Sequence, residues 1–338
     1  GALSLVASFG PGSDIGSGIA SYSACITSST GLDPCISPAP GTTFVQNITP
    51  GSPYMQISVT ATSLPDGMYY TCVTAIDNAG LSSSASCSDG FLVDTTAPTN
   101  PSTGNIADLS TSLVDADFTT NGSSLSASWA TAADTGSGVA SYTACFTATN
   151  ITGTSASCTP LSGSSVVTGN TTRTMTATAS PVLPDGTYYT CVRATDTIGN
   201  VAAWTCSDGF TVDRTGPIFA AGSILDRPTG GVDADWQNTT TSLQVDWSAA
   251  TDSGSGVRDY TACFVTTLYG TADCSTNLVT SSAYTTGNTT RTYTKSSLSL
   301  IQNTYYYACV VPYDTLGNAG AITCSNGIRS DTTAPTNP

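Results

Sequence analysis

Residues 187–217 read Thr-Tyr-Tyr-Thr-Cys-Val-Arg-Ala-Thr-Asp-Thr-Ile-Gly-Asn, then Val-Ala-Ala-Trp-Thr-Cys-Ser-Asp-Gly-Phe-Thr-Val-Asp-Arg-Thr-Gly-Pro. Tyr188, Thr190, Val192 and Ala194 alternate with Tyr189, Cys191, Arg193 and Thr195, the period-two pattern of a half-buried strand. Thr197-Ile-Gly-Asn200 reads as the turn of a hairpin, because glycine and asparagine tolerate positive φ. A second strand is expected from Val201 to Val212, and Asp213-Arg-Thr-Gly-Pro217 ends the unit, since proline cannot continue a central strand. The midpoint of Cys191 and Cys206 falls in the turn, so a regular hairpin sets the two cysteines opposite each other, within disulfide reach.

The hairpin recurs. Tyr69-Tyr-Thr-Cys72 leads through Asp77-Asn-Ala-Gly80 to Cys87 and Asp94-Thr-Thr-Ala-Pro98. Tyr306-Tyr-Ala-Cys309 leads through Asp314-Thr-Leu-Gly-Asn318 to Cys324 and Asp331-Thr-Thr-Ala-Pro335. Cys72, Cys191 and Cys309 are 119 and 118 residues apart. A near-constant period of domain size makes the chain an array, with each unit long enough for its own core. The expected units are 1–96, 97–215 and 216–333, with 334–338 opening a further repeat or a linker. Each upstream half repeats too: an alternating strand with a core aromatic (to Phe9, Trp129 and Trp247), then a Gly-rich segment such as Asp134-Thr-Gly-Ser-Gly138, then a strand such as Ser141-Tyr-Thr-Ala-Cys145. A phosphate-binding glycine loop needs a helix behind it; here a strand follows, so the segment is read as a crossing between sheets. The fold class is therefore all-β, a tandem array of three immunoglobulin-like or fibronectin-III-like β-sandwiches.

The 12 cysteines fall four to a unit. Zinc is disfavoured, because no Cys-x-x-Cys and no histidine occurs. Matching even counts point to disulfides and an oxidising compartment. Midpoints at turn-like stretches favour local pairs: Cys25–Cys35, Cys72–Cys87, Cys145–Cys158, Cys191–Cys206, Cys263–Cys274 and Cys309–Cys324. The first and third cysteines of each unit also lie on neighbouring strands, so spacing favours the local scheme without proving it. Each local loop is worth ~2–3 kcal/mol in the chain-entropy account.

Charged residues make up only 9% of the chain, yet the net charge is −15. Such a surface repels nucleic acid and anionic membranes. No apolar run is long enough to insert in a membrane as a helix. The sequons are Asn47, Asn121, Asn150, Asn170, Asn238 and Asn288, while Pro101 excludes Asn100. Asn121 and Asn238 recur at about the same place in their units, and Asn170 and Asn288 recur within Gly-Asn-Thr-Thr-Arg-Thr, which favours glycosylation of those four; Pro50 counts against Asn47.

Catalysis needs a positioned base, nucleophile or metal, and without histidine neither a Ser-His-Asp nor a Cys-His set exists. Asp115/Asp117 and Asp233/Asp235 lie in Val114-Asp-Ala-Asp-Phe118 and Val232-Asp-Ala-Asp-Trp236, within the inter-unit stretches 98–124 and 217–242 that are expected to give each sandwich's opening strand. Residues two apart face the same way on a strand, so each pair offers a charged edge that discourages edge pairing, a calcium site, or acid–base chemistry. The edge is the preferred reading, and no catalytic residue, metal ligand or cofactor is assigned. Asp94, Asp134 and Asp213 are further candidates for a junction site. Tyr69, Tyr188 and Tyr306 are assigned to the core, whereas Tyr70, Tyr189 and Tyr307 face outward beside the disulfides and are available to glycans or neighbouring subunits.

Asp94-Thr-Thr-Ala-Pro98, Val114-Asp-Ala-Asp-Phe118, Ser123-Ser-Leu-Ser-Ala-Ser-Trp129, Gly136-Ser-Gly-Val-Ala-Ser-Tyr142 and Asp185-Gly-Thr-Tyr-Tyr189 together carry a resemblance. The chain resembles the tandem Asp-Thr-Thr-Pro-Pro repeats of secreted algal and protist proteins, including flagellar-hair (mastigoneme) proteins. The resemblance implies an extracellular structural protein: a glycosylated subunit of a filament or surface hair, not an enzyme, with copies of itself and covalent glycans as partners. The rival reading is an adhesin or a carbohydrate-binding stalk. Asp213-Arg-Thr-Gly-Pro217 departs from the linker pattern, so that junction is expected to bend differently. Gly1 aligns with Asn121, and Ala334-Pro-Thr-Asn-Pro338 repeats Ala97-Pro-Thr-Asn-Pro101. The sequence thus reads as a window whose first unit is completed by another segment, either the chain's continuation or a docked strand of a neighbouring copy. Successive copies then join head to tail.

Overall fold

The structure is a computed structural model that describes residues 3–30, 45–51, 54–61, 64–161, 164–226, 232–268, 274, 278–279 and 282–337. The chain is a tandem array of three β-sandwiches. Among the described residues the only helical element is a single 3-10 turn, Thr103–Asn105.

The middle unit shows the plan. One sheet orders Thr174–Thr178, Ser124–Trp129 and Ile106–Asp108. The other orders Ser165–Gly169, Val139–Thr147, Gly186–Asp196, Phe210–Val212 and Phe118–Thr119, with Thr205–Cys206 also on Gly186–Asp196. The third unit repeats the plan, with Ser242–Trp247 between Ile224–Asp226 and Thr292–Ser296 in one sheet. In the first unit, Leu3–Phe9 pairs with Met55–Ala61, and Ile19–Thr27 with Gly67–Asp77. The Gly-rich segment does cross from one sheet to the other, between Ser124–Trp129 and Val139–Thr147.

Alternation fills the core as the pattern requires. Tyr142, Ala144 and Phe146 are buried in the middle core with Trp129, Tyr188 and Phe210, while Cys145 on the opposite face joins Cys191, Trp204 and Cys206. Trp129 meets Tyr142 edge-on at 5.9 Å, and Trp247 meets Tyr260 at 5.7 Å. A buried phenol needs a hydrogen-bond partner. The Tyr142 hydroxyl accepts the Ala132 amide at 2.8 Å, and Tyr260 and Tyr22 repeat this with Ala250 and Gly12.

The tight turn ahead of the long tyrosine strand is held by that strand's first core tyrosine. Tyr69 donates to the Pro65 carbonyl at 2.8 Å and Tyr188 to the Pro184 carbonyl at 3.0 Å, the arrangement known as a tyrosine corner. In the third unit, where Ile301-Gln-Asn-Thr304 replaces Leu-Pro-Asp-Gly, the corner is rebuilt. The Ile301 amide donates to the Tyr306 hydroxyl at 2.7 Å, and Asn303 takes a positive φ of 58°.

Three local expectations are corrected. Residues 201–212 are not one strand: Thr205–Cys206 and Phe210–Val212 are separated at Ser207-Asp208-Gly209, where Gly209 has φ 102°. Tyr189 packs so close to that glycine that an added Cβ would stand 2.8 Å from its ring. The opening strand expected within residues 98–124 is present, but it does not run through Val114–Phe118. It is split between the sheets, with Ile106–Asp108 on Ala127–Trp129 and the two-residue Phe118–Thr119 parallel to Thr211–Val212. Leu109 and Leu113, both at positive φ, turn the chain between them. Asp115/Asp117 and Asp233/Asp235 consequently lie outside strands and do not form the same-face pairs expected of a strand edge.

Candidate functional sites: domain junctions and buried acids

Each linker is absorbed into the unit that follows. Asp94 is buried; its carboxylate accepts the Thr96 amide at 3.1 Å and, from the next unit's Gly-rich segment, the Ser137 amide at 2.7 Å. Its backbone carbonyl accepts Asn200 Nδ2 at 3.0 Å, and Asn200 in turn is held by Asp196 at 2.7 Å. The second junction repeats these contacts: Ser255 N to Asp213 at 2.7 Å, Asn318 Nδ2 to the Asp213 carbonyl at 3.1 Å, and Asn318 to Asp314 at 2.6 Å. Two-residue bridges add backbone pairing, Thr99 with Ala133 and Ile218 with Thr251. Gly136 and Gly254 are required, because a Cβ at either would lie 2.4 or 2.3 Å from the Asp94 or Asp213 carboxyl carbon.

Asn100 adds a clasp at the first junction. Its Oδ1 accepts the Ala194 amide at 2.8 Å and its Nδ2 reaches the Ala203 carbonyl at 2.5 Å. From the preceding unit, Asp66 accepts the Thr95 amide and the Thr95 and Thr96 hydroxyls. At the second junction, Arg214 pairs with Asp185 at 3.1 Å instead.

The deviant linker Asp213-Arg-Thr-Gly-Pro217 has a local cause. A Cβ on Gly216 would lie 2.3 Å from the Ala319 backbone, and one on Gly320 would lie 1.9 Å from the Pro217 carbonyl oxygen. The first junction carries Ala97 and Ala202 at these positions. Both glycines are therefore coupled to one close backbone approach.

Two junction carboxylates, Asp213 and Asp196, are held below their ordinary values. Burial would raise Asp213, but the Ser255 amide, with the amide and hydroxyl of Thr215, outweighs it. Asp196 is likewise lowered: burial opposes, while Asn200 and the amides of residues 198–200 prevail. Asp94, Asp134 and Asp196 bring one oxygen each within 4.8 Å of one another. All three carboxylates are already occupied by protein donors: Ser137 and Thr96 on Asp94, Gly138 on Asp134, and the turn amides on Asp196. Asp213 belongs to the other junction and does not join Asp94 and Asp134.

A second cluster was not legible in the sequence. Asp108 is completely buried, with 0% of its surface exposed. The Thr190 hydroxyl donates to its Oδ1, and its own amide donates to Asp115 at 2.6 Å. Asp108, Asp115 and Asp208 bring one oxygen each within 4.8 Å. Burial, with Asp115 and Asp208 adding to it, pushes the Asp108 carboxyl up to about 6, against the Thr190 and Ser207 hydroxyls. In the third unit Asp226 is the counterpart, 1% exposed and pushed up to about 7 by burial and by Asp233 and Asp235, against Ser325 and the Gly327 amide. Of the acidic pairs noted in the sequence, Asp115 and Asp233 stay exposed but each accepts the amide of the buried aspartate seven residues earlier.

Cys72–Cys87, Cys145–Cys158, Cys191–Cys206, Cys263–Cys274 and Cys309–Cys324 are disulfide-bonded. Cys35, the expected partner of Cys25, lies outside the described residues. Cys191 stands opposite both Cys145 and Cys206 in register and bonds to the latter. Tyr188 is buried; Tyr189 is half-buried against the disulfide cluster and Gly209. Asn121, Asn150, Asn170, Asn238 and Asn288 are exposed, and the Asn47 side chain lies outside the described residues. Asn170 and Asn288 donate through Nδ2 to the Val139 and Val257 carbonyls at 3.1 and 3.2 Å.

No family model and no curated protein matches the sequence. Among solved structures, the chain is similar to the FN1-FN3 domains of chicken CNTN1, at 13% identity, covering 96% of this chain and 94% of that one, with a TM-score of 0.29. It is also similar to a run of three titin domains, at 13% identity, covering 82% of this chain and 80% of that one, with a TM-score of 0.37. These scores carry no argument beyond themselves; the sandwich assignment stands on the strands and their pairing. Five disulfides among the described residues fit a secreted or extracellular array.

Proposed function

We propose that this chain is an extracellular structural protein, a glycosylated, disulfide-stapled segment of a filament or surface hair whose units follow one another head to tail. The observation that carries the reading is the junction. At both linkers a buried aspartate accepts an amide of the next unit while an asparagine of that unit clasps the aspartate's own carbonyl. Ordinary domain linkers leave relative motion as the default. A linker pinned three ways transmits bending and tension instead, which suits a strut. The resemblance to Asp-Thr-Thr-Pro-Pro repeats of secreted surface proteins supports the same reading. No catalytic role is proposed: the chain has no histidine. Negative-stain electron microscopy of native material tests the assignment. Unbranched filaments decorated by an antibody to this chain are expected; dispersed particles at the native concentration contradict it.

A further inference from the structure

We propose that Asp108, Asp115 and Asp208 of the middle unit form a calcium site. A completely buried carboxylate is costly unless a proton, a cation or a full set of donors compensates it. Asp108 is fully buried, and its Oδ2 makes no hydrogen bond. The Thr190 hydroxyl occupies Oδ1, and the Ser207 hydroxyl lies beside the carboxylate. No lysine or arginine is paired with it among the described residues; the neighbouring charges are two more carboxylates, Asp115 and Asp208, both exposed. One oxygen from each of the three lies within 4.8 Å of the others. Three carboxylates at one place suit Ca²⁺, which takes several carboxylate oxygens in a flexible shell, better than Mg²⁺, which is usually bound through one or two carboxylates and keeps its waters. The side open to solvent at Asp115 and Asp208 lets water complete the shell.

The same chain supplies two internal contrasts. In the third unit Asn326 stands where the middle unit has Asp208, and the Gly327 amide closes Asp226 Oδ2 at 3.1 Å. Asp233 and Asp235 stand near Asp226 in that copy, but among the described residues no three carboxylate oxygens are gathered there, and its buried oxygen is already satisfied. Asp89 of the first unit, at the position of Asp208, is not gathered with two other carboxylates. One such site is present among the described residues. A bound ion would tie the loop after Ile106–Asp108 to the bend at Ser207-Asp208-Gly209, joining the two sheets at their shared edge.

Calcium chloride titrated calorimetrically into the full chain, stripped with chelator and held at fixed ionic strength, tests this directly. One Ca²⁺ per chain is expected, with a dissociation constant on the order of 10⁻⁴–10⁻³ M, as in extracellular modules. Asp208→Asn, an exposed and near-isosteric change, should weaken binding at least about tenfold. Asp89→Asn should leave it unchanged. Thermal unfolding of the same samples checks that the variants fold, and only chains with Asp208 should show a calcium-dependent rise in midpoint. No binding by the parent chain, equal binding by D208N, or an equal response to Mg²⁺ would overturn the assignment.

Discussion

Gly216 and Gly320 show how much a single hydrogen atom can decide at a junction. Each faces backbone so closely that a methyl group has no room, and neither obstacle is a side chain that can swing away. Gly320→Ala should cost about 1–3 kcal/mol, the usual range for overpacking. Ala202→Gly, at the equivalent place in the first junction, should cost no more than about 1 kcal/mol. Calorimetric unfolding of both variants distinguishes them, and equal effects would contradict the close approach. Asp213 gives the pH dependence at the same scale. Its folded carboxyl lies below its unfolded value, so its stabilisation is present above the unfolded value, near 4, and is lost as pH falls through the lower folded one. Unfolding midpoints followed from pH 6 to pH 2 should fall in that acid window, and less steeply in Asp213→Asn. A parallel decline in both proteins would remove Asp213 from the account.

At the scale of the element, the long tyrosine strand and its hairpin were readable because three signals coincide: period-two alternation, a glycine turn and cysteines placed symmetrically about it. The break at Ser207-Asp208-Gly209 was not readable, because alternation continues on both sides and both halves pair with the same strand, Gly186–Asp196. The split opening strand escaped for a similar reason. Ile106–Asp108 is three residues long, too short for a period to show, and the motif beside it, Val114-Asp-Ala-Asp-Phe118, drew the assignment instead. The buried aspartate had one available signal: Asp108 and Asp226 each precede the recurring Asp-Ala-Asp motif by the same seven residues. The corner tyrosines can be tested as elements. Tyr188→Phe and Tyr306→Phe should each cost about 1 kcal/mol, with Tyr306→Phe the larger because it strands the Ile301 amide. Denaturant unfolding of the two variants measures the difference, and a costless Tyr306→Phe would mean the rebuilt corner contributes nothing. Register also leaves Cys145 directly opposite Cys191, so pairing deserves a direct check. Peptide mapping without reduction should recover Cys191 with Cys206 and Cys145 with Cys158; a Cys145–Cys191 peptide would contradict the structure.

For the whole molecule, the repeat gives identical parts and the junctions decide whether they behave as one strut. The recurring sequons lie on exposed positions, and intact-glycopeptide mass spectrometry of native material should find Asn170 and Asn288 occupied; bare peptides at both would remove the glycan coat from the account. The stiffness claim rests on Asn200 and Asn318, each of which bridges an aspartate of its own hairpin and the carbonyl of the preceding linker. Small-angle X-ray scattering of the full chain beside an Asn200→Ala/Asn318→Ala variant measures what they do. A single extended conformation for the parent, and a broader, shorter distribution of sizes for the variant with its sandwiches still folded, is the predicted result. A parent chain that scatters as freely jointed domains, indistinguishable from the variant, would contradict it.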